Sequence, residues 1–298
     1  MIKYIKRQDL DVTKYDACIE KSLQSRIYAF SWYLDIVSEN WDVLILDDYE
    51  AVMPIPWRKK FFFKLISQPL FCQQLGVFSN IEVSTNLTYQ FITQIPTSFK
   101  ICHYQFNAQN NIVNKELVRK NYILDLNTKY VKLRANYRKD RKYRINQVKK
   151  KNYELVSIKP KEIISIAEKN YKFMNIPKKE YEKLALLMNT IIQKKMGFIL
   201  GIENNKGEIL GGSFFIKSKH RITYLFSAMT EEGKYNQVAS LIIDNVINEY
   251  SKNLYVLDFE GSMIKGVASF YKSFGADFEE YKLFKYNNLP WFLRLFKK

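Results

Sequence analysis

Tyr255-Val256-Leu257-Asp258-Phe259-Glu260-Gly261-Ser262, followed closely by Gly266-Val267-Ala268-Ser269-Phe270-Tyr271-Lys272-Ser273-Phe274-Gly275, is the stretch that decides how this chain is read. A short apolar run ends in two carboxylates, a glycine and a serine, the pattern of a strand delivering polar groups to a turn. Val267, Phe270, Tyr271 and Phe274 then recur at helical spacing, and the helix closes on Phe274-Gly275. Upstream, Val238–Tyr250 has the pattern of another helix. A helix between the strands expected at Arg221–Ala228 and Tyr255–Phe259 lets those strands run parallel through a right-handed crossover.

Working outward, Phe198–Glu203, Gly207–Lys217 and Arg221–Ala228 read as a meander with polar turns at 204–206 and 218–220. A strand at Tyr153–Ile158 and helices at Lys161–Phe173 and Lys178–Gln193 precede it, with Pro177 in the loop between the helices. A last strand is expected at Phe278–Lys285. The second half therefore runs strand, two helices, three strands, helix, strand, helix, strand. The first half is also mixed α/β. Strand Ile2–Lys6 leads to helical segments at Lys14–Ser22 and Phe30–Ser38, then to a hairpin of Trp41–Leu46 and Ala51–Ile55 that Pro54 and Pro56 are expected to end. A strand at Phe61–Ile66, a helix over residues 81–94 and strands at Lys100–Phe106 and Tyr122–Leu126 follow. No internal sequence repeat is visible, although the halves share size and element types.

Between the halves, residues 128–151 hold eleven basic side chains against one acidic, more than half of the chain's net charge of +17. No Gly or Pro interrupts residues 129–151, and Tyr130, Leu133 and Tyr137 share a helical face, so one long basic helix is expected there. It is either a solvated face, a site for an anionic ligand, for which arginine is suited through bidentate contacts, or a sequence-tolerant nucleic-acid stripe.

With 298 residues, 47% apolar and 15% aromatic, the chain can bury a substantial core in one large domain or two of about 150 residues. Cys18, Cys72 and Cys102 are widely spaced and have neither metal-ligand nor disulfide-framework spacing, so no metal is expected. The charged N-terminus has no secretory apolar core, and no apolar run approaches the length of a membrane span. The expected location is the cytoplasm. The terminal Leu289–Lys298 mixes bulky apolar and basic residues, and either packs back on its domain or touches a membrane surface.

The order of elements is the one used by the GNAT acyltransferase fold, and four segments narrow the likeness. Arg134–Lys151, with Arg138, Arg141 and Arg144, resembles the arginine-bearing linker helix of Fem-type (FemAB-like) proteins. Gly211-Gly212-Ser213-Phe214-Phe215 ahead of Tyr224-Leu225-Phe226-Ser227-Ala228 resembles their central hairpin. Leu257–Ser262 and Phe270–Gly275 resemble their closing Asp-Phe-x-Gly and Phe-Lys-x-x-Phe-Gly signatures. The resemblance is clearest over residues 130–285. It implies tandem GNAT-like domains, each a mixed, mostly antiparallel sheet flanked by helices: a degenerate one over 1–127, a basic linker helix over 128–151, and a second domain over 152–298. The implied activity is transfer of an acyl or aminoacyl group to a small-molecule amine acceptor held in a cleft between domains.

Two departures bear on the donor. CoA-binding GNAT proteins place Gln/Arg-x-x-Gly-x-Gly/Ala at a helix start, where backbone N–H groups hold the pyrophosphate. The corresponding Glu232–Ala239 has one glycine, at a different spacing. The helical arm that some Fem-type peptidoglycan enzymes insert in their second domain is also missing, which counts against transfer from aminoacyl-tRNA to a cell-wall precursor as the default. The donor expected is therefore an anionic activated acyl carrier, acyl-CoA or another, with aminoacyl-tRNA among the choices. Ser227, Ala228, Gly233, Lys234 and Gln237 are the candidates to hold it.

Acyl transfer to an amine requires a polarised carbonyl, a group that takes the amine's proton and one that returns a proton to the leaving group. In GNAT-like folds two splayed strands, here Arg221–Ala228 and Tyr255–Phe259, supply backbone N–H groups for the first. Asp258 and Glu260 alternate along a strand and are expected to share a face, as general base or amine ligand, or else as caps of the next helix. Ser262 reads as a cap and not a nucleophile, since His103 and His220 stand at no recognisable spacing from it. The resemblance implies a role for Lys272 near the acyl group, against the alternative of a solvated helix lysine. Tyr224 is a candidate proton donor to the leaving group, or a core residue, and Tyr271 a candidate substrate contact. In the first half Arg58, Gln73 and Gln74 lie in Pro/Gly-flanked segments suited to acceptor binding. The alternative function is a non-catalytic protein on the same scaffold, holding RNA, lipid or another anion through the basic helix, with Arg138, Arg141 and Arg144 as contacts.

Overall fold

The computed structural model describes residues 1–60, 62–112, 117–172, 175–261 and 263–291. The chain forms two compact units, Met1–Arg119 with Glu280–Lys298, and Lys120–Glu279.

Unit 1 is built from β1 (Ile2–Lys6), α1 (Val12–Lys21), α2 (Ser31–Val37), β2 (Asn40–Leu46), β3 (Ala51–Lys60), β4 (Phe63–Ser67), β5 (Phe78–Ser79), α3 (Thr85–Thr93), β6 (Phe99–Gln105), the start of β7 (Val118–Asp125) and most of β13 (Asp277–Asn287). Its sheet runs β1-β2-β3-β4-β6-β13, with β5 beside β3. β4 and β6 pair in parallel, and a parallel bridge joins Leu75 to Phe106. Asp11 and Ser84 cap α1 and α3, accepting the N–H groups of Lys14 and Leu87. Pro54 and Pro56 do not end β3, which continues to Lys60. Both pair with β2. On the other edge of β3, β5 covers residues 51–52 and β4 covers residues 57–60. The prolines thus fall where that edge has no ladder partner, and a missing N–H is tolerated there.

Unit 2 contains α4 (Tyr130–Ala135), α5 (Lys139–Lys149), β8 (Glu154–Ser157), α6 (Pro160–Asn170), α7 (Lys178–Gln193), β9 (Gly197–Glu203), β10 (Ile209–Ser218), β11 (Arg221–Met229), α8 (Glu231–Tyr235), α9 (Val238–Glu249), β12 (Val256–Asp258) and α10 (Lys265–Lys272). Its sheet runs β7-β12-β11-β10-β9-β8, with only β11 and β12 parallel. Leu124, Ile145, Phe215, Ile222, Val246, Leu257 and Phe274 belong to one buried cluster that joins the sheet to α5, α9 and α10. The expected order of elements holds, with the short α8 added.

The basic segment is two helices, not one. Asn136 ends α4, and Arg138 adopts an extended conformation before α5. No Gly or Pro causes the break. Tyr137 is drawn into the core edge-on to Phe274, with ring centroids 5.3 Å apart, and the N–H of Arg138 donates to Ser273 O at 3.0 Å. Tertiary packing overrides local helix propensity here.

Candidate active site

β11 and β12 pair only over Arg221↔Val256, Ile222↔Leu257 and Thr223↔Asp258. β12 then stops, while β11 continues to Met229. Glu260 at φ 54° and Gly261 at φ 31° turn the chain away. A Cβ at Gly261 would stand 2.2 Å from Lys120 O, so the turn requires glycine. The gap opened beside β11 contains a cavity of about 340 Å³, lined by Tyr224–Ser227 of β11, Phe259 and Glu260, Val267 and Tyr271 of α10, Ala167 of α6, Tyr171, Ile176 and Tyr181 of α7.

Asp258 and Glu260 do not share a face. The left-handed residue at Glu260 ends the strand alternation, and only Glu260 lines the cavity. Asp258 is 1% exposed. Its Oδ2 meets Arg221 Nη1 at 2.6 Å, and its Oδ1 accepts from Asn121 Nδ2 at 3.0 Å and from the Glu260 N–H at 2.8 Å. Arg221 and Asn121 also hold Glu279, at 3.0 and 2.9 Å. Asp258 is thus the centre of an ion-pair network that fixes where the strands part. Lys272, at the exposed end of α10, does not line the cavity either; its ammonium lies 5.8 Å over the Tyr122 ring.

Tyr224 lies in the cavity wall, its hydroxyl hydrogen-bonded to Ser227 and Ser213. The two serine hydroxyls are 3.1 Å apart, and Ser227 Oγ donates to Gly212 O at 3.2 Å. Burial raises the Tyr224 pKa above the ordinary tyrosine value, although the serines oppose this. Burial, followed by the neighbouring Tyr224 and Glu260, raises that of Tyr271, which stacks on Phe259 at 4.8 Å. The Met229 N–H donates to the Tyr171 hydroxyl at 3.2 Å and so points away from β10. Gly211↔Met229 and Ser213↔Ser227 alternate with the hydrogen-bonded pairs of the β10–β11 ladder. By that alternation the Ser227 N–H also points into the gap.

The loop after β11 leads into a short helix that opens with acidic side chains. Thr230 caps α8, its Oγ1 accepting the Gly233 N–H at 3.0 Å, and Glu231 and Glu232 occupy the first turn. Two carboxylates there disfavour an anion. Gly233 is a packing glycine: a Cβ would stand 2.1 Å from Leu210 O. Lys234 pairs with Glu231 at 2.7 Å and lies 4.7 Å over the Tyr171 ring. Gln237 adopts φ 58° before α9 and accepts from Arg141. Ala228 is fully buried.

Arg141 faces inward, at 4% exposure. It donates to Ser273 Oγ at 2.8 Å, to Gln237 Oε1 at 3.1 Å and to Ser240 Oγ, and lies 4.5 Å over the Phe270 ring. Burial pushes its pKa down to about 10. Arg138 pairs with Asp140 at 3.0 Å and bonds Ser269; Arg144 is exposed. The three arginines therefore do not form one ligand-facing row. In unit 1, Gln74 is buried, donating to Gln73 and accepting from the Ala108 N–H, while Arg58 is exposed on β3. His103 and His220 are exposed and outside the cavity lining, and Ser262 lies outside the described residues. Among the described residues no group of His, Cys, Asp and Glu is placed to hold a metal ion. No helix among them is long and apolar enough to cross a membrane.

Tyr171, Tyr181, Ser213, Arg221 and Glu279 were not singled out from the sequence. Tyr171 and Tyr181 flank the Pro177 loop and enter the site only because α6 and α7 pack together. Arg221 and Glu279 stand near strand starts, where a charge reads as solvated.

The fold is that of a Fem-like tandem GNAT protein. No protein-family model and no curated protein sequence matches the chain. Among solved structures it is similar to FemX, with a TM-score of 0.69 at 10% identity over 99% of this chain and 100% of that one. It is also similar to a tandem GNAT protein from the clavulanic acid biosynthesis pathway (TM-score 0.57, 8% identity, 97% and 99% covered). A third is the C-terminal domain of a protein assigned as a lysylphosphatidylglycerol synthetase from Agrobacterium fabrum (0.55, 10%, 96% and 94%). At these identities the likeness is one of fold.

Proposed function

We propose that unit 2 is an acyltransferase that moves an acyl or aminoacyl group from an activated carrier to an amine. The observation that carries this reading is the parting of β11 from β12 beside a cavity that holds one carboxylate, Glu260, among tyrosines. The Ser227 N–H is positioned to donate to the acyl oxygen as it becomes an oxyanion. Glu260 takes the proton from the acceptor ammonium, the freed nitrogen attacks the carbonyl carbon, and the bond to the carrier breaks. Tyr224, kept protonated by burial, returns a proton to the departing oxygen or sulfur and is recharged through the Ser213–Ser227 hydroxyls. Donors of the CoA type are disfavoured by Glu231 and Glu232, and the neighbours assigned to lysylphosphatidylglycerol synthesis and named FemX make aminoacyl-tRNA the first donor to try.

The test is product formation from acyl-CoA, acyl-carrier-protein and aminoacyl-tRNA donors with a panel of amines. Glu260→Gln is expected to lower kcat/KM by about 10²–10⁴, measured well below its unfolding transition. Full turnover in Glu260→Gln and Tyr224→Phe would overturn the assignment.

A further inference from the structure

The β3–β4 hairpin of unit 1 presents an aromatic side chain between cations. Its ladder runs to Lys60↔Phe63, with Phe62 beyond it and 99% exposed. Arg58, Lys59 and Lys60 are all exposed. Strand alternation sends Arg58 and Lys60 to one face and Lys59 to the other, so cations flank the aromatic on both sides. The same edge receives Asn288 and Leu289. Leu289 packs with Phe63, Leu65 and Ile101, and the Asn288 N–H donates to Lys100 O at 2.7 Å. Trp291, two residues further and so within about 7 Å of Leu289 along the chain, is 75% exposed. No acidic residue occurs in 57–81 or in 282–298.

We propose that this edge is a docking surface for an anionic phospholipid bilayer. Phe62 and Trp291 enter the boundary between headgroups and acyl chains, and Arg58, Lys59 and Lys60 rest on the headgroups. Two observations select a bilayer over a protein or nucleic-acid partner. Phe62 and Trp291 leave large aromatic surfaces to solvent, 99% and 75% exposed, beside the cations of the hairpin. The flanking charge is of one sign, which anionic lipid complements at interfacial depth. A cation at such a surface contributes about fivefold in affinity. The three on the hairpin therefore supply about a hundredfold preference for anionic over neutral lipid, and the proposal stands whether or not unit 2 transfers an acyl group.

Flotation of the full chain with vesicles of phosphatidylcholine, alone or mixed with phosphatidylglycerol, tests it. Binding to the mixed vesicles is expected, reduced about tenfold or more by Phe62→Glu or Trp291→Glu. Lys59→Glu with Lys60→Glu is expected to weaken it most at low salt. Lys142→Glu and Tyr143→Glu on α5, a basic surface with its own exposed tyrosine, are expected to leave it unchanged. Because Phe62 is 99% exposed, the melting temperature of Phe62→Glu should match the parent protein's. Absence of flotation with mixed vesicles overturns the proposal. So does full flotation of Phe62→Glu with loss in the α5 variants, which would assign the affinity to the basic helices. Self-association that disappears in Phe62→Glu, without vesicle binding, would assign the edge to a second copy of the chain.

Discussion

Removing the guanidinium of Arg221 is expected to cost stability first and activity only as a consequence. Arg221 holds Asp258 at 2.6 Å and Glu279 at 3.0 Å, and the Asp258 side chain is 2% exposed. In Arg221→Met the carboxylate of Asp258 keeps, among the described residues, the Asn121 amide and the Glu260 N–H. A buried charge left with neutral donors costs about 3–5 kcal/mol. For a unit of this size that corresponds to a melting temperature lowered by roughly 10–15 °C. Arg221→Met with Asp258→Leu removes both charges of the tightest pair and should recover about 2 kcal/mol or more relative to the sum of the single variants. The assay is urea unfolding of the four proteins followed by circular dichroism, with turnover measured well below each transition. If Arg221→Met costs less than about 1 kcal/mol, or if Asp258→Asn abolishes turnover at parental stability, the ion-pair reading fails and Asp258 returns as a catalytic base.

The two arginines of α5 should separate cleanly: Arg141→Met takes the guanidinium from the buried Ser240 hydroxyl and from Gln237 Oε1, while Ser273 keeps its bond to Phe270 O, and should cost about 1–3 kcal/mol in urea unfolding, whereas Arg144→Met should stay within about 0.5 kcal/mol. Gly233→Ala drives a methyl against the Leu210 carbonyl and should lower stability by about 1–3 kcal/mol in a thermal melt, with no relief from trimming the Leu210 side chain, because the clash is with backbone. Burial raises the pKa of Tyr224 and Tyr271 above the ordinary 10.0, so the unfolded chain loses these protons first as pH rises. It then binds fewer protons than the folded chain, and stability, full below pH 10, should fall above it; by the same cause a kcat/KM profile should show no tyrosine limb below about pH 10.

Most of the fold was legible because it rests on local signals. The meander β9–β11, α7 and the crossover through α9 follow from apolar periodicity and polar turns, and their bounds shift by no more than two residues. What was not legible is set by distant partners. The β3 prolines suggest a strand end, yet they survive because β4 and β5 leave that stretch of edge open. The break at Tyr137 has no sequence mark; it falls where the Tyr137 ring packs edge-on against Phe274, a residue distant in sequence. α8 was missed because five residues carry little periodicity.

The site shows the same division more sharply. Two carboxylates two residues apart share a face only while the strand continues, and a single left-handed residue at Glu260 sends one to a buried arginine and the other to the cavity. Sequence spacing names both candidates and cannot choose, since the choice depends on the close approach of Gly261 to Lys120 O, a contact spanning well over a hundred residues. The same reasoning bears on the donor. On the reading proposed above, the parted strands and the Ser227 amide serve the acyl carbonyl, while Thr230 takes up the Gly233 amide and Glu231 and Glu232 stand in the first turn of α8. On that reading, carbonyl chemistry and donor grip are separable in this fold. On the reading proposed above, this chain keeps the first and has replaced the second, so donor specificity must come from surfaces other than the loop after β11, and substitutions in that loop should alter stability more than donor choice.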